Sequence, residues 1–147
     1  MDESDAEAVS NLIQRTFHHF IADTYKARGK RYFLRHTSKS AMLRRKRENQ
    51  LIVVAETGNT VSGIIAVRRK NHISLLFVAP EFHGKGIGSL LCREAISRIT
   101  AAIPNPHRVT VNSSDHALPF YAKLGFTVKR PAYFHKGMKI TPLELVL

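Results

Sequence analysis

Three glycines at alternate positions, Gly84, Gly86 and Gly88, stand between a run of apolar residues ending at Val78 and a helix-like run beginning at Ile87. Glycines so placed let a backbone approach an anion closely, and a helix N-terminus just beyond offers free N–H groups and the positive end of its dipole. The chemistry suggested is the holding of a phosphate or pyrophosphate. Two well-known phosphate loops do not fit. A P-loop needs Lys and then Ser or Thr directly after its second glycine, whereas Lys85 precedes Gly86 and Ile87 follows it. A dinucleotide fingerprint beginning at Gly84 would need glycine where Ser89 stands, and an acidic residue about 20 positions later, which is absent.

The elements that must position this loop can be read from periodicity. Between Asp5 and Ile21, Val9, Leu12, Ile13, Phe17 and Phe20 recur at helical spacing behind an acidic start, an amphipathic helix. Residues 25–47 read as a loop followed by a helix. Residues 51–56 and 61–67 are rich in β-branched side chains around Gly58-Asn59, a hairpin, and 72–78 form a third strand. After the glycine loop, Leu90, Leu91, Ala95, Ile99 and Ile103 mark one face of a long helix that Pro104 and Pro106 end. A strand at 108–112, a helix at 115–124 closed by Gly125, a strand at 126–129 and a last strand within 138–147 complete the chain. Pro142 points to an edge position or a bulge in that last strand. The length suits one domain, and no linker divides it.

The chain carries 23 Lys and Arg against 11 Asp and Glu, a net charge of +12, so an anionic partner is implied. Charge alone does not choose among nucleic acid, an acidic surface, an acidic substrate and a polyphosphorylated cofactor. The excess is concentrated between Lys26 and Arg47, where ten basic residues meet no acidic one. Cys92 is the only cysteine, which excludes an internal disulfide and a cysteine metal cluster. His18, His19 and His36 lack metal-ligand spacing, so no metal is expected. The acidic N-terminus and the lack of a long apolar run lead to the expectation of a cytoplasmic protein without a membrane partner.

Residues 76–91, with Val78-Ala79-Pro80 leading into His83-Gly84-Lys85-Gly86-Ile87-Gly88, resemble the acyl-CoA loop of the GNAT N-acetyltransferase superfamily, Gln/Arg-x-x-Gly-x-Gly/Ala after a strand. His83 replaces the usual Gln or Arg. Residues 112–126, containing Ala117, Phe120, Tyr121, Lys123, Gly125 and Phe126, resemble the family's second segment, in its usual order and separation. The resemblance covers most of the chain from Leu51 onward and thins toward the N-terminus. It implies an α/β fold with a mixed central β-sheet flanked by helices, whose first edge strand is here short or missing.

It also implies direct transfer of an acetyl group from acetyl-CoA to an amine acceptor, small molecule or protein, with no covalent enzyme intermediate. His83, Gly84, Lys85, Gly86, Ile87, Gly88 and Ser89 would hold the pyrophosphate. The main chain of Phe77 and Val78 would pair with the pantetheine arm, with Asn112 and Ser114 near it. Tyr121 would give a proton or hydrogen bond to the leaving thiolate, and a backbone N–H of the strand ending at Val78 would meet the oxyanion. His72 matches the position of a catalytic glutamate in some members, and an imidazole can accept a proton near pH 7; Glu56, Glu81 or ordered water are the alternatives. The basic 25–47 segment borders the family's acceptor entrance, which implies an acidic or phosphate-bearing acceptor or else a solvated basic face. A homodimer is left open. The rival readings are a nucleic-acid-binding module using Tyr25, Tyr32 and Phe33, which leaves the glycine loop unexplained, and a CoA-sensing domain without turnover.

Overall fold

In a computed structural model, which describes all residues 1–147, the sheet is mixed and seven-stranded, with helices on both faces. Helices α1 (Ala6–Phe20), α2 (Ala27–His36) and α3 (Lys39–Arg47) come first. Strands β1 (Leu51–Thr57), β2 (Thr60–Arg68) and β3 (His72–Val78) follow, then α4 (Ile87–Ala102), β4 (Arg108–Ser113) and α5 (Leu118–Lys123). The chain ends with β5 (Thr127–Val128), β6 (Tyr133–His135) and β7 (Met138–Val146). The strand order is β1-β2-β3-β4-β7-β5, with β6 on β7; only β3 and β4 run parallel. No strand precedes α1, so β1 is the edge, as the N-terminal thinning leads one to expect.

Two cores lie on the two faces. The α1 stripe of Val9, Leu12, Ile13 and Phe17 packs with Met42, Ile64, Leu75 and Phe77. On the opposite face, Leu91, Cys92, Ala95 and Ile99 of α4 pack with Ile65, Ile73, Val109, Val111, Tyr121 and Phe126. Each such large side chain contributes roughly 2 kcal/mol by leaving water.

Three readings change. Residues 25–47 hold two helices rather than a loop and a helix: α2 ends at His36, and Ser38 caps α3 by accepting from the Ala41 N–H. Strand β6 was not expected; it hairpins onto β7 through Lys136 and Gly137, both at positive φ. Pro142 lies in an interior strand rather than at an edge. Its carbonyl accepts from the Lys129 N–H, and in an antiparallel ladder a residue's N and C=O face the same neighbour. The missing N–H therefore faces the β5 side, just where β5 pairing stops.

Candidate active site

Strands β3 and β4 pair only at His72↔Thr110 and Ile73↔Val111; beyond Ile73 they part. The gap between them is what the glycine loop and α5 enclose. A bulge lies where the two strands part: β2 pairs Val67 with Ile73 and Ala66 with Leu75, so Ser74 is the extra residue.

Strand parity decides which backbone groups enter the gap. The Ala79 N–H donates to Ser62 O on β2, so the N–H and C=O of Leu75, Phe77 and Ala79 face β2. Those of Leu76 and Val78 face the opening. This corrects the expectation for Phe77, whose main chain is held in the β2 ladder while its side chain enters the α1-side core. Val78 and Leu76 face the gap; the sequence reading did not name Leu76, which simple alternation from Val78 gives.

At the wide end, a cleft of about 420 Å³ is lined by Val78, His83, Gly84, Gly86, Ile87, Gly88 and Ser89, together with His116, Phe120 and Lys123 across from them. Gly84 and Gly86 sit at φ 77° and 78°, and Gly86 is the N-cap of α4. Left-handed backbone there turns the chain into the helix and leaves the first N–H groups of α4 without intrahelical partners. Lys85 is the loop member outside the cleft lining; its ammonium lies over the Phe82 ring, 5.4 Å from the centroid.

His83 is accounted for by its contacts. Its Nε2 stands 2.7 Å from the Val78 carbonyl, and since a carbonyl only accepts, Nε2 carries the proton. The imidazole thus ties the loop to the end of β3. Its ring stacks on Phe20 from α1 at 4.8 Å, and His116 stacks on the same Phe20 at 4.2 Å.

Deeper in the gap is a smaller cavity of about 80 Å³. Asn112 and Ser114 line it rather than the loop cleft, with Ser74 and Phe77 from β3 and Ile21, Tyr25 and Phe33 from the helical side. Leu76, Ala117 and Tyr121 line both spaces and are therefore where they meet. The Tyr121 ring is 4 % exposed and packs edge-on against Phe120 and Phe126. No fully buried side-chain polar atom lacks a partner, and the Tyr121 hydroxyl has none in the protein, so its oxygen opens on the cavity. Burial pushes this phenol above its ordinary pKa, so it stays protonated across the physiological range and can donate but not serve as a base.

His72 is not brought to either space. It sits at the narrow end of β3, where Nδ1 meets Thr110 Oγ1 at 2.8 Å. Burial, then Arg68 and Arg69, lower its pKa to about 4, which makes it a weak acceptor at neutral pH. Glu81 is exposed and paired with Arg15 at 2.8 Å. Cys92 is buried, and burial raises its thiol pKa to about 12. No group of three or more His, Cys, Asp or Glu is placed to hold a metal ion, and no helix is long and apolar enough to cross a membrane.

Solved structures of similar shape share this arrangement of sheet and helices. A GCN5-related N-acetyltransferase from Rhodopseudomonas palustris superposes with a TM-score of 0.85 at 20% identity, covering 100% of this chain and 92% of that one. The PaiA N-acetyltransferase from Thermoplasma acidophilum, solved in complex with coenzyme A, gives 0.81 at 19% identity, with coverages of 100% and 96%. An aminoglycoside 6'-N-acetyltransferase, also complexed with coenzyme A, gives 0.70 at 10% identity, with coverages of 99% and 92%. At these identities the likeness speaks for the fold. The family itself is given by sequence: residues 21–147 match the acetyltransferase (GNAT) domain. The chain therefore belongs to the GNAT family of acetyltransferases.

Proposed function

We propose that the chain, acting as one domain, is an acetyl-CoA-dependent N-acetyltransferase that passes the acetyl group directly to an amine acceptor in a ternary complex. The observation that carries this reading is the parting of β3 and β4 beyond Ile73, which opens a passage from the glycine loop to the Tyr121 hydroxyl. The fit to acetyl-CoA rests on three features along that passage. The α4 N-terminus and the left-handed Gly84 and Gly86 suit a pyrophosphate, and Lys123 adds a cation at the cleft wall. The edge of β3 that faces the gap, free at Leu76 and at the Val78 N–H although the Val78 carbonyl is taken by His83, suits an amide-bearing arm added like a strand. A protonated phenol stands where the two spaces meet.

Acetyl-CoA supplies an activated acyl carbon on a good thiolate leaving group. Leu76 N–H, turned into the gap, is placed to donate to the developing oxyanion. Tyr121 holds the proton that the thiolate takes up. His83 keeps the loop registered against β3 through Val78 O, so a ring rather than a phosphate-binding Gln or Arg occupies this position. A histidine base is not part of this reading: His72 lies outside the passage, and water in the passage is the proton acceptor for the amine.

Thiol release from acetyl-CoA in the presence of a panel of primary amines, with CoA binding measured by calorimetry, tests the reading. CoA is expected to bind with micromolar affinity and thiol to appear only when an amine is present. Absence of CoA binding would overturn it; CoA binding with no amine-dependent release would favour a sensing role.

A further inference from the structure

One cation, behind a residue that lines the smaller cavity, makes no ion pair. Arg45 of α3 is half-buried under α2 and the sheet. Its Nη1 donates to Gln50 Oε1 at 3.2 Å and to Ser74 Oγ at 3.3 Å, and its Nη2 donates to His36 O at 3.3 Å. All three acceptors are neutral. Its Nε–H has no acceptor in the protein and, since no fully buried polar atom is unpartnered, stays open to solvent. Arg68 from β2 and Arg44, both of like sign, act against its charge. Glu48 is the one carboxylate that faces it, lies outside ion-pair range, and is engaged by Arg44 at 4.0 Å and Gln50 at 3.4 Å. Burial, then Arg68, depress the guanidinium pKa from its ordinary value, although an arginine remains charged.

A half-buried guanidinium whose partners are all neutral keeps the capacity to bind an anion. Its place in the fold says what that could be. Ser74, which it touches, is the bulged residue of β3 and lines the smaller cavity. Leu76, where the reacting carbonyl is proposed to sit, is two strand residues further on, about 7 Å away.

We infer that Arg45, with Arg68 beside it, holds an oxyanion of the acceptor, so that the acceptor is a small amine bearing a carboxylate or phosphate a few bonds from its nitrogen. The fork geometry of arginine suits either group, and the open Nε–H is the donor through which it would take an oxygen, with the second Nη2 hydrogen beside it. This rests on the acetyl-transfer reading above and narrows its substrate class.

Two matched pairs test it by thiol release: β-alanine against β-alaninamide, and phosphoethanolamine against ethanolamine. The anionic member of at least one pair is expected to show kcat/KM at least tenfold higher, and the pair that does so tells carboxylate from phosphate. Arg45→Gln is expected to collapse that preference through KM. Arg68→Gln, at an exposed strand end where folding is not at risk, is expected to reduce it severalfold. Equal or better turnover of both neutral amines, or a preference that survives Arg45→Gln, would overturn the inference. If none of the four is acetylated, the same compounds are titrated into 15N-labelled, CoA-saturated protein. The Arg45 Nε–H resonance must then move with an anionic compound and not with its neutral partner; no movement overturns the inference and leaves Arg45 as a brace between α2, α3 and β3. Failure of the acetyl-transfer reading looks different: no CoA binding and no thiol release, whatever the Arg45 resonance does.

Discussion

Tyr121 combines a fully packed ring with a hydroxyl that has no partner in the protein. Removing that hydroxyl strands no buried donor or acceptor, so Tyr121→Phe should fold with stability within about 1 kcal/mol of wild type. If the phenol gives up a proton to the thiolate, the same change lowers kcat by about 10²-fold with little effect on acetyl-CoA binding; steady-state kinetics with a calorimetric Kd separates the two. His72 calls for a different experiment. Its pKa of about 4 in the fold lies below the ordinary value of 6.5, so the unfolded chain takes up a proton that the native protein refuses. Stability is therefore fully present above about pH 6.5 and is lost as pH falls toward 4, by an amount on the order of 2 kcal/mol. Urea unfolding at pH 7.5 and 5.0 should show that difference, and His72→Gln should flatten it. A His72→Gln enzyme that loses kcat more than tenfold at pH 7.5 would return the histidine to catalysis. The sequence made both residues visible, but only the surroundings separate them: a cavity beside one, Thr110 and two arginines beside the other.

The loop and β3 were legible as elements, because alternate glycines and a short apolar run are local signals. Alternation links Leu76 to Val78, but which of the two faces of β3 meets the gap is set by the Ala79–Ser62 bond and the Ser74 bulge, and both depend on β2. The α2 and α3 boundary has a local signal in Ser38, a good N-cap ahead of Lys39. The loop itself gives a clean test. A side chain built on Gly86 would meet no heavy atom within 4 Å, so space does not restrict it and only its φ of 78° does. Asn and Asp tolerate that region at a cost of roughly 1 kcal/mol, so Gly86→Asn and Gly86→Asp should both fold. They should then divide by charge. Gly86→Asn weakens CoA binding moderately, while Gly86→Asp, with a carboxylate among the α4 N–H groups, weakens it at least a hundredfold by calorimetry. Equal affinities in the two variants would mean that the pyrophosphate does not lie here.

At the scale of the whole molecule, one sheet opened between β3 and β4 gives a single passage with two mouths. The glycine loop, α4 and α5 border one mouth; Ile21, Tyr25, Phe33 and the β3 bulge border the other, and Leu76, Ala117 and Tyr121 lie between. On the proposed reading, such a shape would let both substrates be present at once. It also does not offer the thiol or the phenol as a carrier of an acyl group between them. Cys92, the only thiol, is 0 % exposed inside the α4-side core, and burial raises its pKa to about 12, so neither access nor thiolate is available. The Tyr121 phenol, held protonated by burial, is no better. Initial rates measured against acetyl-CoA at several fixed amine concentrations should therefore give intersecting double-reciprocal lines. Labelled CoA should not exchange into acetyl-CoA when the amine is omitted, and Cys92→Ala should retain turnover within about threefold. Parallel lines together with amine-independent exchange would require an acyl-enzyme, and the passage would then have to be read as one substrate site used twice.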